Sequence, residues 1–358
     1  MKKYLLLLSI CVLVLFSCNR PHRKVHHSVF VTGVMVKTTP VKDQGPSALC
    51  WVYAMLATIE SEHLMMGDSV NLSTDYIARA LLEEQAMNYF LSQGHHPINL
   101  RGTMPMLIHF IEQYGELPFD SYDGKGTTNY TVISRKLEKA ACTSTSLQAL
   151  KTKTQNILDQ EIGYLPRFIF MLGAEYTPLE FAHSVCHPQE YIALTSFTHH
   201  PFWDRFALEI PDNKFHDPFL NIPLDTLMST IDNALRKGHP VCWEGDISEP
   251  GFSFERGIAL LNSPHANQQK RQKGFERFET TDDHCMELIG IAHNREGRKF
   301  YIAKNSWGTG NPYHGMMYLS EDYVRMKTIA IMVNRTCTQD LEKKQAQYRH
   351  DKNRPIGF

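Results

Sequence analysis

The sequence predicts an α+β fold with helices in the first half and strands in the second, and three observations carry that expectation. Up to about residue 190 apolar residues recur at three- and four-residue steps. From Tyr191 they gather instead in short runs rich in β-branched and aromatic residues, and a long polar, helix-like stretch precedes that change. The composition is ordinary for a globular chain: 358 residues, 42% hydrophobic and 21% charged, enough for a large core or two lobes. The 37 Lys and Arg nearly cancel the 38 Asp and Glu, so no global field favours nucleic acid or an acidic surface.

Residues 1–18 differ in kind. Lys2 and Lys3 form a basic start, Tyr4 to Phe16 is an apolar run too short to span a bilayer comfortably, and Leu15-Phe16-Ser17-Cys18 resembles a bacterial lipobox, although Phe16 replaces the usual small residue. This predicts a lipoprotein signal peptide, lipidation at Cys18 and a tether over residues 19–36 that opens rich in Arg, Lys and His. The chain would then be exported and lipid-anchored to a bacterial membrane, on the periplasmic side or at the cell surface.

Within the body of the chain, Val29 to Val36 reads as a short strand, and Pro40 and Gly45 break the chain ahead of a helix that begins near Ala48. In that helix Trp51, Ala54, Met55, Thr58, Ile59 and Glu62 mark one face for burial, and Gly67-Asp68 ends it. Ser73 or Thr74 caps a second helix to about Asn88, and Met104 to Tyr114 forms a third that Gly115 stops. Glu116 to Phe119, with Ser121-Tyr122 behind, reads as a surface segment, and residues 127–188 as an inserted helical region. The β-rich part spans 189–340: strands at Tyr191 to Phe197, from Asn221, at Val241 to Trp243, Met286 to Ala292, Lys299 to Lys304, Met316 to Leu319 and Ile329 to Val333, with a helix over Leu224 to Lys237. Polar residues between Asn262 and Lys273 suggest an exposed loop, and 341–358 a charged, mobile tail.

Eight cysteines stand at 11, 18, 50, 142, 186, 242, 285 and 337, with neither zinc-like spacing nor a CxxC pair, so most are expected to be buried free thiols. Cys50 differs in position. The turn-formers Gly45, Pro46 and Ser47 give way to helix formers at Ala48, which puts Cys50 in the first helical turn, where unpaired N–H groups favour a thiolate. A thiolate that attacks an amide needs a base, a group that orients the base, and donors for the oxyanion. Gln44, six residues earlier, can donate beside the Cys50 N–H. His284 opens one strand and Asn305 follows the next, so antiparallel pairing places an amide oxygen beside the imidazole, with Trp307 as a cover. Asp283 reads as an exposed loop carboxylate, and Cys285 as a small core residue on the strand face opposite His284. The pairs His95-His96, His199-His200 and His183 with His187 lack acidic partners at ligand spacing, so no metal and no cofactor is expected.

Gln44, Cys50-Trp51, His284 and Asn305-Ser306-Trp307-Gly308, with Gly315 and Tyr318 behind them, resemble the papain-like cysteine peptidases. Arg101-Gly102 is similar to that family's substrate-backbone segment and Tyr114-Gly115 to the end of its second helix. Ala48-Leu49 and Arg101 depart from the family's small residues there, which would narrow or recharge the cleft. The 234-residue separation of Cys50 and His284 resembles the bleomycin hydrolase branch, as do Asn221 to Asp225, Trp243 to Asp246 and Thr280 to His284.

The resemblance implies a papain-like fold of two lobes: a helical lobe (37–126) bearing the central Cys50 helix, a helical insert (127–188) and a β-barrel-like lobe (189–340). It also implies cysteine peptidase activity with Cys50, His284, Asn305 and Gln44 catalytic, Arg101, Gly102 and Trp307 at the substrate, and peptides as partners. Relatives in that branch are typically aminopeptidases, restricted by a C-terminal tail in the cleft. A catalytically silent peptide-binding lipoprotein and a Cys-His enzyme of another class are the competing functions, while a homo-oligomer stays open.

Overall fold

The computed structural model describes residues 30–124, 128–171, 173–187, 189–261 and 266–352. The expected signal peptide, Cys18 and most of the tether lie outside the described residues, as does the end of the tail beyond residue 352. Among the described residues no helix is long and apolar enough to cross a membrane.

Helix α1 (Cys50–Met66) is the axis of the first half. Gly67, at φ 99°, ends it in the left-handed region, and its N–H donates back to the His63 and Leu64 carbonyls. Burial is not confined to one face, as the periodicity suggests, because Trp51, Val52 and every residue from Ala54 to Glu62 are buried. The helix lies between strands on one side and helices α2 (Thr74–Leu91) and α3 (Met104–Tyr114) on the other. A helix covered all round shows little amphipathic pattern.

Ser73 caps α2 by accepting from the Tyr76 N–H, and Gly115 stops α3 at φ 90°, where a Cβ would come within 2.5 Å of the Pro178 backbone. The segment after α3 is only partly at the surface: Glu116 and Leu117 are wholly buried and Tyr122 nearly so, whereas Pro118 and Phe119 are half-buried and Ser121 is exposed. Residues 127–188 hold α4 (Tyr130–Cys142) and α5 (Leu147–Glu161), both packed on α2, a hairpin of β2 (Ile169–Met171) and β3 (Ala174–Tyr176), and α6 (Pro178–Val185).

The second half is one mixed sheet. Its strands are β4 (Tyr191–Thr195), β5 (Arg205–Ala207), β6 (Pro218–Asn221), β7 (Val241–Gly245), β8 (Phe252–Ser253), β9 (Ile258–Ala259), β10 (His284–Asn294), β11 (Lys299–Lys304), β12 (Met316–Ser320) and β13 (Thr328–Asn334), in the order β5-β6-β4-β13-β7-β10-β11-β12-β9-β8. The N-terminal strand β1 (Phe30–Met35) joins it by pairing antiparallel with the far end of β10, whose near end pairs with β7. At the changeover Gly290 has no room for a side chain, since a Cβ would meet the Val34 carbonyl oxygen at 2.5 Å. Helix α7 (Leu224–Arg236) packs on one face, and α9 (Glu321–Lys327) leads into β13.

Two further expectations are corrected. Residues 268–276 form helix α8 rather than an exposed loop, and Arg271 on it is fully buried. Its guanidinium lies 4.6 Å from the Phe197 ring centre, and its Nε donates to the Ser196 carbonyl at 2.9 Å. The tail likewise continues as helix α10 (Gln339–Lys352), held by buried Leu341 and by the Arg335–Glu342 ion pair at 2.7 Å.

Strand alternation gives the central sheet two unlike faces. Val241, Trp243, Met286, Leu288, Ile331 and Val333 belong to one apolar core with α7, whereas Cys242, Cys285, Ala330 and Met332 face a second core built on α1 and α2. Glu244 and Glu287, at alternate positions from Cys242 and Cys285, complete the face towards α1.

Candidate active site

Cys50 is the first residue of α1, so its N–H has no partner within the helix, and the first turn carries no acidic side chain. It opens onto a cleft of about 530 Å³ lined also by Gln44, Trp51, Arg101, Gly102, His284, Cys285 and Trp307. Six of the seven predicted catalytic and substrate-side residues thus border one cavity, and the seventh, Asn305, lies behind His284.

The His284–Asn305 pair has the geometry that antiparallel pairing of β10 and β11 suggests. His284 Nε2 is 2.7 Å from Asn305 Oδ1, and the Ser306 N–H donates to that same oxygen at 2.8 Å. Because the oxygen accepts from a backbone N–H, Asn305 is fixed as acceptor and Nε2 must be the protonated ring nitrogen. Nδ1 is left for Cys50, which interacts with His284 by hydrogen bonding and by charge. The Trp307 ring lies 4.8 Å from the imidazole, centre to centre, and Phe254 packs edge-on behind it at 5.4 Å. His284 is 3% exposed and Asn305 1%, so the bond between them is dry.

The Cys50 thiol is held well below its ordinary range. Hydrogen bonding from Cys285 is the largest cause, burial opposes it, and the bond and charge of His284 add to the lowering. Cys285 is buried, as expected, yet its thiol also touches Cys50, and burial beside Cys50 pushes the Cys285 thiol well up, leaving it a donor. The sequence signal for this is only the adjacency of Cys285 to His284. All six described cysteines are free thiols.

The Gln44 loop is clipped to the Asn305 segment. The Gln44 N–H donates to the Ser306 carbonyl at 2.8 Å, Ser306 Oγ donates to Gln44 Oε1 at 2.6 Å, and Gly308 N–H reaches the Lys42 carbonyl at 3.2 Å. Gln44 Nε2 donates to the Ser47 carbonyl at 2.6 Å, which uses one of its two hydrogens and leaves the other beside the helix end. On the opposite wall Trp51 Nε1 holds the Leu100 carbonyl at 2.8 Å, and Gly102 sits so close to the Trp51 indole that a Cβ would approach it to 2.9 Å.

Arg101 is engaged by the protein itself. Its Nε lies 2.9 and 2.8 Å from the two Asp212 oxygens, and one terminal nitrogen donates to the Asp282 carbonyl at 2.7 Å, so it ties the helical wall to the sheet side. Asp212 and Asp282 line the cleft beside it, with Glu244 buried against Asp282; sequence reasoning assigned none of these three to the site. Asp283 is half-buried rather than exposed and accepts from Thr281 Oγ1 at 2.8 Å.

Among the described residues one trio, His199, His200 and Glu209, could be drawn around a cation. Gln272 Nε2 donates to His199 Nδ1 at 3.0 Å, which leaves the proton on Nε2 to bond Glu209 at 3.1 Å, while His200 Nε2 meets Glu209 at 2.6 Å. Internal His–Glu pairing accounts for the trio, and it borders no part of the Cys50 cleft.

A family model described as the Peptidase C1-like family matches residues 169–353, just over half of the chain, a span that includes His284 and Asn305. The mitochondrial cysteine proteinase 1 of Saccharomyces cerevisiae is 24% identical over 87% of this chain and 78% of its own length. Aminopeptidase G of Lactobacillus delbrueckii subsp. lactis is 20% identical over 83% of this chain and 81% of its own. Among solved structures, PepW from Lactobacillus rhamnosis superposes with a TM-score of 0.68 at 17% identity, covering 90% of this chain and 86% of that one, which establishes a shared fold.

Proposed function

The chain belongs to the peptidase C1-like family, and we infer from that membership and from the cleft that it is a cysteine-type peptidase in which Cys50 is the nucleophile. The observation that carries this assignment is the His284–Asn305 bond of 2.7 Å, which leaves Nδ1 as the nitrogen turned to a thiol at a helix N-terminus. The Cys50 thiolate attacks the peptide carbonyl. The Cys50 N–H and the second Gln44 Nε2–H receive the oxyanion, and His284 passes its proton to the leaving amine. His284 then takes a proton from water, which hydrolyses the thioester and frees Cys50. Asn305 keeps the imidazole in the required tautomer throughout.

Cys50→Ala should abolish turnover of fluorogenic peptides and labelling by an epoxide thiol-protease inhibitor. Labelling that persists in the variant would overturn the assignment. Aminopeptidase specificity is the finer reading, supported by curated relatives named aminopeptidase G and aminopeptidase W. A preference for free over blocked N-termini checks it. We extend the reading to anchoring: the lipobox-like sequence at Cys18 supports export and lipid attachment, and Cys18→Ser should move the protein from the membrane to the soluble fraction.

A further inference from the structure

We propose that Glu244, Asp282 and Asp212 form a cation-binding subsite of the cleft, which takes a positively charged group of the peptide substrate, either its N-terminal ammonium or a basic side chain. The proposal rests on the peptidase reading above and names the substrate class for the same site.

Three separate parts of the chain converge here. Asp212 lies between β5 and β6, Glu244 near the end of β7, and Asp282 two residues before β10, and pairing of β7 with β10 sets Glu244 opposite Cys285. Asp212 and Asp282 line the cavity that Cys50 opens onto. Glu244 is fully buried against the Asp282 carboxyl, with which it shares a hydrogen bond, and among the described residues no donor from outside this group of acids reaches either of its oxygens or Asp282 Oδ2. The charges that act most strongly on Glu244 are those of Asp282, Cys50 and Asp212, every one of them an acid.

The cations nearby are already engaged. The Arg101 guanidinium spends Nε on both oxygens of Asp212 and a terminal nitrogen on the Asp282 backbone carbonyl, not on the Asp282 carboxyl. Lys214 donates to Asn99 Oδ1 and to the Arg101 carbonyl, both at 2.7 Å. Buried polar groups are normally paired, and an unpaired one costs folding free energy. Asp212 has its cation in Arg101, whereas Glu244 and Asp282 Oδ2 have only acids for partners, so a cation brought by the substrate is the group that would neutralise them. Burial pushes the Glu244 carboxyl well up and the Asp282 carboxyl up to about 7, so the free enzyme can hold protons there until a substrate cation displaces them.

The test compares kcat/KM on three fluorogenic series: free against acetylated N-termini on otherwise neutral peptides, blocked peptides with Arg or Lys against citrulline or norleucine upstream of the scissile bond, and wholly neutral blocked peptides. Wild-type enzyme should favour one cationic series by about tenfold or more, the size of a charge-assisted bond. The first series winning identifies the ammonium as the ligand, the second the side chain. Glu244→Gln and Asp282→Asn, near-isosteric and checked for folding by thermal melts, should each cut that cationic-to-neutral ratio several-fold. Ratios near unity in wild type, or ratios unchanged in both variants, overturn the subsite. Epoxide labelling of Cys50 separates the two levels: a labelled, active enzyme with no cationic preference refutes the subsite alone, whereas no labelling and no cleavage refutes the peptidase reading and the subsite with it.

Discussion

Asn305→Ala should reduce kcat/KM by about ten- to hundredfold while leaving the fold largely intact. The variant removes the acceptor 2.7 Å from His284 Nε2, a bond that becomes charge-assisted once His284 holds the Cys50 proton. Bonds to charged groups contribute roughly 1.5–3 kcal/mol, and every 1.4 kcal/mol is tenfold in rate. The stability side is smaller. Losing Oδ1 orphans the buried Ser306 N–H, at a cost of about 1–3 kcal/mol, but Asn305 Nδ2, buried without a partner in the wild type, vanishes with it and offsets part of that. Asn305→Asp keeps an acceptor in place and should recover much of the activity. The assay is steady-state kcat/KM on a fluorogenic peptide, with thermal melts and the alkylation rate of Cys50 measured alongside. An alanine variant within twofold of wild type would refute the role assigned to this bond.

Three further outcomes follow from other contacts. Cys285→Ala should move the acid limb of kcat/KM to higher pH: activity needs ionised Cys50, and the Cys285 thiol is the largest influence that keeps the Cys50 thiol low, so an unmoved limb would refute the contact. Gly102→Ala should cost about 1–3 kcal/mol of stability, because its Cβ would sit 2.9 Å from the Trp51 indole and 3.0 Å from Met106 Sδ; an unchanged urea midpoint would show that the wall yields freely. Glu287, fully buried between Lys304 and Thr38, is pushed up to about 7 by that burial, against an unfolded value near 4.5. Its contribution is fully present below pH 4.5 and is lost as pH rises through 7, so Glu287→Gln should remove up to about 3 kcal/mol of that decline between pH 4.5 and 7, read from urea melts across the range.

The sequence revealed what is local. The break at Gly45-Pro46-Ser47 ahead of Cys50, the cap at Ser73, the stop at Gly115 and the Asn305-Ser306-Trp307-Gly308 run each depend on a few neighbouring residues, and each stands where local chemistry puts it. Arg271 was hidden because its environment is remote: Gln268 to Glu276 reads as solvated, and only the Ser196 carbonyl and the Phe197 ring, seventy-odd residues earlier, make a buried guanidinium tolerable there. The acidic wall was hidden for the same reason, since Asp212, Glu244 and Asp282 share no local motif: β7–β10 pairing brings Glu244 towards Asp282, and Arg101 ties Asp212 to the same place. Helix α1 misled in a different way. A helix covered on all sides loses the contrast between faces from which burial is read.

That helix also explains why the sheet turns an unusual face towards it. The alternate residues Val241, Trp243, Met286 and Leu288 show what β7 and β10 carry where only packing is required. On the other face the same strands carry Cys242, Glu244, Cys285 and Glu287. Aliphatic side chains at all four would bury more apolar area, but they would press hydrocarbon against Cys50 and raise its thiol by desolvation with no donor to oppose it. Cys285 supplies that donor within a volume small enough for close approach. Glu287 contacts Lys304 and Thr38, so its charge has partners inside the chain. Glu244 has only another acid, Asp282, as its hydrogen-bond partner, and no cation among the described residues. Its charge is the one of the two that the folded protein leaves uncompensated, and its proximity to Cys50 and Asp282 makes substrate the group that would compensate it.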